Sequence, residues 1–219
     1  MRLAGDGAEL CPAAITSILP ALEATLSAIP SKRAGTRLYG VPALGTLLAP
    51  AGSIGAIAAS FLGTDCRAVR ATLFDKSKSG NWSLPWHQDR TIAVTQRIDV
   101  EGFGQWTVKA GVPHVEPPAD LQAQMMTLRV HLDPVPADNA PLMVAPGSHR
   151  LGRIRQEEIA DVIERCGTAT CLAEAGDAWA YATPILHASE AARSPNRRRV
   201  LQVDYAATDL PGGLHWLGV

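Results

Sequence analysis

The chain has 219 residues and a mass of 23.2 kDa, which is the size of one domain. Its 20 lysines and arginines against 21 aspartates and glutamates give a net charge of −1, without the basic excess of a nucleic-acid-binding protein. Hydrophobic residues make up 47% and charged residues 19%, which supplies a core and excludes a disordered chain.

The first 65 residues are predicted to be mostly helical. Apolar residues recur at helical spacing from Ile15 to Ile29, and Pro20 is expected to kink or break this helix. Residues 30–42 are expected to form a loop. A second helix is predicted to begin after Ser53, which would be its N-cap, and to end near Gly63.

The stretch from Leu38 to Thr64 carries no charge and is long enough to span a bilayer. Because it contains two prolines and several glycines, we favour Gly/Ala-rich helix packed on a core, with a membrane anchor as the alternative. The N-terminus lacks the apolar run of a signal peptide, and the four cysteines are irregularly spaced. These features predict a cytoplasmic protein with free thiols.

Short strands are predicted from Cys66 onward, beginning with Cys66–Lys76. Residues 75–85 and 99–120 are rich in polar, glycine and proline residues and are expected to be irregular, the second being long for a connection. From Thr127 to Asp133 apolar and polar residues alternate, as on a strand with two different faces. The later predicted elements are strands at 141–145, 168–173, 178–183 and 198–206, with one helix around Ile159–Cys166.

Helices followed by short strands indicate a mainly β domain, a sandwich or barrel faced by N-terminal helices. We expect a single domain in which residues 1–65 form helical support, residues 66–206 the β core and residues 207–219 a C-terminal tail. The sequence contains no βαβ alternation and no glycine-rich phosphate loop, so a nucleotide-binding α/β fold is not expected.

Three histidines are each followed two positions later by an acid: His87-Gln-Asp89, His114-Val-Glu116 and His131-Leu-Asp133. On a strand, residues i and i+2 share a face, so each pair could offer an imidazole and a carboxylate to one metal ion. His131 and Asp133, with His149 or His114 as a third ligand, remain an alternative to the first pair.

The first pair has a distant partner in His187, which is followed by Ser189 on the same predicted strand face and by Arg198 on the next strand. Two histidines and one carboxylate occupy one face of an octahedral ion and leave positions open for other ligands. A nearby arginine suits a carboxylate co-ligand, because its planar fork binds carboxylates in bidentate fashion.

The segments Leu84-Pro-Trp-His-Gln-Asp89 and Ala140-Pro-Leu-Met-Val-Ala-Pro-Gly-Ser-His-Arg150, together with His187-x-Ser189 and Arg198, resemble the phytanoyl-CoA dioxygenase family. The resemblance covers about residues 66–206. It implies a double-stranded β-helix (jelly roll, cupin-like) and an oxygenase that uses Fe(II), 2-oxoglutarate and O2.

The resemblance implies a role for several residues. His87, Asp89 and His187 would hold the iron, Arg198 and Ser189 the distal carboxylate of 2-oxoglutarate, and Thr72 would lie near this cosubstrate. Because related halogenases replace the carboxylate ligand by a small residue, Asp89 favours hydroxylation or desaturation, with release of succinate and CO2.

The substrate is expected to be a small or medium organic molecule. Arg129, His131 and Arg90 are candidates for contacting a polar or anionic group, and Trp106 is a candidate for stacking. A cupin-like binding protein without turnover is the alternative function. The sequence does not indicate an oligomeric state.

Overall fold

The computed structural model describes residues 1–29, 35–76, 81–194 and 196–219. The strands there are β1 (Ala8–Cys11), β2 (Gly35–Leu38), β3 (Arg67–Lys76), β4 (Leu84–His87), β5 (Ile92–Ala93), β6 (Gly104–Lys109), β7 (Val112–Glu116), β8 (Met126–His131), β9 (Leu142–Val144), β10 (Ala169–Cys171), β11 (Ala178–Ala182), β12 (His187–Ser189) and β13 (Arg198–Ala206). The α-helices are α1 (Leu3–Asp6), α2 (Leu19–Ser27), α3 (Pro42–Leu48), α4 (Gly55–Leu62), α5 (Ala119–Ala123) and α6 (Ile159–Cys166). Short 3-10 helices cover Thr16–Ile18, Ser148–Leu151 and Gln156–Glu158.

Two antiparallel sheets form the body of the protein. The larger has the strand order β1-β11-β8-β13-β3-β2, and the smaller has the order β10-β9-β12-β4. Along the chain, β3, β8, β11 and β13 lie in the larger sheet, and β4, β9, β10 and β12 lie in the smaller one. Eight strands shared in this way between two sheets make the double-stranded β-helix expected from the sequence.

The outer face of the larger sheet packs against the N-terminal helices. Leucines and other apolar residues of α2, α3 and α4 join outward residues of β3, β8 and β13 in one buried core. The members from the helical segment include Leu22, Leu26, Leu44, Leu48 and Ala58, and the sheet contributes Leu73, Leu128, Val130, Leu201 and Val203. The predicted helical support therefore covers one face of the sheet.

The inner face of the same sheet is polar, because the alternation of each strand turns its other residues toward the second sheet. The strand register aligns these inward residues in rows across β3, β13 and β8. The rows are Arg70–Asp204–Thr127, Thr72–Gln202–Arg129, Phe74–Val200–His131 and, across two strands, Lys76–Arg198. Thr127, Arg129 and His131 of the predicted strand thus point into the barrel, whereas β8 ends at His131 and Asp133 pairs with Arg199, which also contacts Glu23 of α2.

Several sequence-based expectations for the first 65 residues are wrong in detail. Pro20 lies in the first turn of α2, where its missing N–H is not needed, so it begins the helix and does not kink it. Residues 35–38, expected to be loop, pair with β3 as strand β2, and residues 30–34 lie outside the described part. Ser53 is not an N-cap, because α4 begins at Gly55 and its N-cap Ile54 makes no side-chain cap.

The expected irregular stretch 99–120 contains a β-hairpin. Strands β6 and β7 pair around Ala110 and Gly111, which both have positive φ, as the tight hairpin turns that match strand twist require. Gln105 also has positive φ, where the register shifts between Gly104 and Thr107. This hairpin and β5 form a third sheet of order β5-β7-β6, inserted between β4 and β8. Of the expected irregular stretch 75–85, residues 77–80 lie outside the described part.

The uncharged stretch 38–64 folds into α3 and α4, which have seven and eight residues. None of the helices in the described part of the chain has the length and apolar character needed to cross a bilayer. The two helices meet closely: a Cβ on Gly55 would collide with the backbone carbonyls of Leu48 and Ala49. Glycine at position 55 therefore sets how these helices join.

We expect Gly55→Ala to destabilise the protein by about 1–3 kcal/mol, because backbone atoms cannot move aside for the new methyl group. Gly45→Ala is the matched control, since position 45 is inside α3 and a Cβ there has open space. It should stabilise the protein by about 0.5–1 kcal/mol through the higher helix propensity of alanine. Urea unfolding midpoints measure both, and equal midpoints for the two variants would contradict this account of the helix junction.

Candidate metal centre

Two histidines and one aspartate converge where β4 and β12 pair. His87 ends β4, His187 begins β12, and the antiparallel register places these two residues opposite each other. Their ring centroids are 4.3 Å apart. Asp89 follows two residues after His87, and one potential ligand atom from each of the three side chains lies within 4.8 Å of the others. Among the described residues, this is the only such group of three metal-ligating side chains.

The orientation of both imidazoles is fixed by the backbone. Nδ1 of His87 lies 2.8 Å from the carbonyl oxygen of Pro85, and Nδ1 of His187 lies 2.9 Å from that of Ile185. Since the carbonyls only accept hydrogen bonds, each Nδ1 carries the proton and each Nε2 has a free lone pair. Two imidazole nitrogens and one carboxylate form the donor set that suits Fe(II) with open coordination positions, so the residues fit this ion.

Asp89 is held from two sides. Arg70 Nη2 donates to Asp89 Oδ2 at 3.1 Å, and the side-chain amide of Gln122 donates to the Asp89 carbonyl oxygen. Burial raises the pKa of Asp89, but Arg70, followed by His187 and His87, lowers it below its ordinary value. For His187, whose charged form is the protonated one, burial lowers the pKa to about 4. The group therefore holds an ionised carboxylate and a neutral His187 at pH 7, which are the forms that bind a metal.

A cavity adjoins the three side chains inside the barrel. Its lining comprises Phe74, Lys76, Trp82, Leu84, His87, Asp89, Arg129, Leu142, His187, Ser189, Arg198 and Gln202. Three of these residues are cations, whereas Asp89 is the sole acid among the described residues that line the cavity. Asp89 is already paired with Arg70, so the cavity has a surplus of positive charge and suits an anionic ligand.

The buried cations affect one another. Burial, together with Arg198 and Arg129, lowers the pKa of Lys76 to about 7. Burial and then Arg129 lower the pKa of Arg198 to about 9. Lys76 Nζ also lies 4.1 Å above the Trp82 ring and donates to the Trp82 carbonyl oxygen at 2.9 Å. An anion in this cavity would relieve the mutual repulsion of these cations.

Arg198 and Ser189 lie together at the cavity wall. Arg198 Nη1 and Ser189 Oγ both donate to the carbonyl oxygen of Ala140, the serine at 3.1 Å. Arg198 is 3% exposed, and its Nε has no hydrogen-bond partner in the described part of the chain. A buried guanidinium with an unused N–H is able to receive a carboxylate.

The other residues singled out from the sequence divide between the cavity and its surroundings. Arg129 lines the cavity, and its Nη1 donates to Gln202 Oε1 at 2.8 Å. Thr72 lies in the same inward row as Arg129 but does not line the cavity. His131 is buried two residues beyond Arg129, and neither ring nitrogen has a partner among the described residues.

Arg90 and Trp106 lie away from the cavity, contrary to what the sequence suggested. Arg90 donates to the carbonyl oxygen of Ile154 at 2.5 Å and borders a different, smaller cavity. Trp106 is on β6 of the third sheet, where it packs on apolar residues and Arg97 stacks over its ring. The position of Trp106 follows from the inserted hairpin, whose side chains pack into a small core of their own.

The alternative metal pair is not assembled. Asp133 accepts hydrogen bonds from the Arg199 side chain at 2.6 and 2.9 Å, so its carboxylate is already engaged. His114 is buried in β7, with Nδ1 3.0 Å from the Val112 carbonyl oxygen, and Glu116 pairs with Arg153 at 3.0 Å. Neither acid joins its histidine in a group of three ligands within the described residues.

Sequence reasoning did not single out Arg70, Phe74, Lys76 or Gln202. The signal was present, because a strand was predicted from Cys66 to Lys76 and its alternation places Arg70, Phe74 and Lys76 on one face. The sequence alone does not indicate which face of that strand points into the barrel. Ala71 and Leu73 of this strand face the helices, which leaves Arg70, Phe74 and Lys76 inside.

A model of the phytanoyl-CoA dioxygenase (PhyH) family matches residues 45–200, more than half of the chain. The chain belongs to the phytanoyl-CoA dioxygenase family. The resemblance noted from the motifs is thus confirmed, and with it the class of Fe(II)- and 2-oxoglutarate-dependent oxygenases. A search of curated proteins finds no match to this chain.

Solved structures of such enzymes share the fold. EctD from S. alaskensis, with 2-oxoglutarate and 5-hydroxyectoine, matches with a TM-score of 0.64 and 17% identity over 93% of this chain and 73% of its own. The epimerase SnoN from nogalamycin biosynthesis matches with a TM-score of 0.65 and 17% identity, over 97% of this chain and 88% of its own. HygX from Streptomyces hygroscopicus, with nickel, 2-oxoglutarate and hygromycin B, matches with a TM-score of 0.62 and 13% identity, over 93% of this chain and 84% of its own. At these identities the likeness establishes the fold, and the expected jelly roll is confirmed.

Because His131 is buried, we expect the free energy of unfolding of the metal-free protein to fall as the pH is lowered. Burial, then Arg129 and Arg198, lowers the pKa of His131 to about 3, so the unfolded chain takes up the proton first as the pH falls. Stability is therefore lost from pH 6.5 downward, by about 2 kcal/mol at pH 5 from this residue alone. We expect His131→Leu to reduce the fall by that amount. Urea unfolding at pH 7 and pH 5 measures it, and an unchanged pH dependence in the variant would contradict the burial of a neutral imidazole.

Proposed function

We propose that this protein is an Fe(II)- and 2-oxoglutarate-dependent dioxygenase that hydroxylates a small or medium organic molecule. The observation that carries the proposal is the placement of His87, Asp89 and His187 beside a buried cavity with surplus positive charge. A metal site open on one side and an anion site next to it are what a chelating dicarboxylate cosubstrate requires.

In this proposal His87 and His187 hold Fe(II) through Nε2, and Asp89 holds it through a carboxylate oxygen. When bound, Fe(II), 2-oxoglutarate and O2 supply the oxidant and release succinate and CO2. Most of the charged side chains around the cavity are buried, and a bound anion would interact with them more strongly than in bulk water.

The distal carboxylate of 2-oxoglutarate is assigned to Arg198 and Ser189. Arg198 offers its unused Nε–H, and Ser189 would turn its hydroxyl from the Ala140 carbonyl to the carboxylate. Lys76 and Arg129 add positive charge on the cavity wall. Thr72 lies on the same inward face as these cations but does not line the cavity, so its contact with the cosubstrate has no support beyond the family resemblance.

For the substrate, the cavity supports Arg129 as the contact for a polar or anionic group. We assign no substrate role to His131, Arg90 or Trp106, because none of them lines the cavity. The structures of EctD and HygX hold 5-hydroxyectoine and hygromycin B, and SnoN is an epimerase. Proteins with this fold therefore act on small molecules. Because Asp89 occupies the position that halogenases leave to a small residue, we propose hydroxylation here, with desaturation as the alternative outcome.

Anaerobic titration of the metal-free protein with Fe(II) and 2-oxoglutarate tests the assignment. We expect the visible metal-to-ligand charge-transfer band of the chelate in the wild type and no band in His187→Ala. Arg198→Ala should need at least about tenfold more 2-oxoglutarate, because a charged hydrogen bond to the distal carboxylate is lost. Arg197→Ala is the matched control, since the neighbouring Arg197 is exposed and pairs with Asp75 outside the barrel.

The outcomes separate the enzyme from a binding protein with the same fold. A well-folded wild type without a band would overturn the proposed cosubstrate. A band together with no uptake of O2 and no succinate, across candidate substrates, would favour a cupin-like binding protein. Equal 2-oxoglutarate affinities for Arg198→Ala and Arg197→Ala would remove Arg198 from the carboxylate site.

Lys76 predicts how cosubstrate affinity depends on pH. Its pKa of about 7 means that it loses its charge as the pH rises past neutrality, and the cavity then attracts anions less strongly. We expect the dissociation constant for 2-oxoglutarate to rise roughly tenfold between pH 7 and pH 8.5 in the Co(II)-loaded protein. Lys76→Met should show weak, nearly pH-independent binding, measured by calorimetry. A variant that keeps the wild-type pH profile would exclude Lys76 as the titrating group.

A further inference from the structure

Arg70 is a buried cation that joins the metal site to the larger sheet. Its Nη2 lies 3.1 Å from Asp89 Oδ2, and its Nε lies 2.5 Å from Asp204 Oδ2. The side chains of Arg70 and Asp204 are 15% and 4% exposed, so this ion pair is largely shielded from water, and the Asp89 side chain is 24% exposed. One guanidinium therefore bridges the carboxylate of Asp204 on β13 and the carboxylate of Asp89 in the loop that follows β4.

Asp204 is itself fixed, so Arg70 has a rigid support. Thr127 Oγ1 donates to Asp204 Oδ1 at 3.0 Å and lies 3.2 Å from Thr183 Oγ1. Arg70, Asp204 and Thr127 lie in one row across three hydrogen-bonded strands. This support holds the Arg70 guanidinium so that Nη2 contacts Asp89, a loop residue that is not itself fixed by strand pairing.

The contact with Arg70 makes the two carboxylate oxygens of Asp89 different from each other. Oδ2 accepts the charged hydrogen bond, and Oδ1 has no side-chain partner in the described part of the chain. A lysine at position 70 would supply charge but not the fixed fork that reaches both Asp204 and Asp89. The geometry thus favours a carboxylate that presents a single oxygen to the metal.

We propose that Arg70, anchored by Asp204, is a positioning residue that limits Asp89 to one bond with the metal. The inference rests on the proposed function, since it concerns the same iron. An octahedral ion held by two histidines and a monodentate carboxylate keeps three positions free, whereas a bidentate carboxylate leaves two. Bidentate 2-oxoglutarate and O2 together need all three.

The test counts the water molecules on a bound ion and needs no turnover. Mn(II) is the probe, because its effect on water-proton relaxation scales with the number of exchangeable waters that it binds. We expect the wild type to show three waters and Arg70→Gln to show two, a fall of about one third in inner-sphere relaxivity. A fall of that size with Mn(II) binding retained supports the proposal.

Two further variants guard against effects of folding. Removing one partner of a buried ion pair is strongly destabilising, but replacing both with apolar residues is tolerated. The double variant Arg70→Met with Asp204→Leu frees Asp89 Oδ2 and removes Asp204 as a rival ligand, so it should show the same loss of one water. Arg67→Gln is the matched control, because Arg67 lies on the same strand and pairs with exposed Asp209. It should keep three waters.

The proposal and the proposed function fail in different ways. A wild type that binds neither Mn(II) nor Fe(II) would overturn the proposed function. A wild type with three waters and a double variant that also has three would overturn the role of Arg70 alone. In that case Asp89 would stay monodentate without help, and Arg70 would only neutralise buried charge.

Discussion

The antiparallel pairing of β12 with β4 is the contact on which the rest of the site depends. It places His187 opposite His87 although the two residues are far apart in the chain. A shift of one residue in this register would turn one imidazole to the other face of the sheet. Backbone carbonyls at Pro85 and Ile185 then fix both rings, so the same two strands supply the ligands and their orientation.

The larger sheet is constrained by a second requirement, because its inner face buries charge. Removing a charge from water is unfavourable unless a partner is present, and Arg70 is satisfied by Asp89 and Asp204. Lys76, Arg129 and Arg198 lack such acids among the described residues that line the cavity. Arg129 and Arg198 each have an Nε–H without a hydrogen-bond partner in the described part of the chain. The free energy lost by burying these groups is offset by the apolar core between the sheet and the helices.

Much of the fold and the metal group could be predicted from the sequence. The alternation from Thr127 to His131 predicts the two faces of β8, although the strand ends before Asp133. The two-residue spacing of His87 and Asp89 indicates a shared site. The edge strands β1 and β2 could not be predicted, because their local sequences carry no clear strand pattern. They form strands by pairing with β11 and β3. The hairpin at Ala110-Gly111 was missed because its turn lacks the Asn-Gly or Asp-Gly signal.

The substrate residues were harder to predict than the metal ligands for a physical reason. The candidate ligands His87 and His187 are placed by the register of barrel strands, and each lies in a short sequence motif. Arg90 and Trp106 belong to the segment inserted between β4 and β8, whose course depends on its own small core around Val94 and Val115. That core draws Trp106 away from the cavity, so polarity and aromaticity alone could not show which inserted side chains reach the site. The centre of the barrel is therefore set by strand pairing, and specificity is left to the cavity wall.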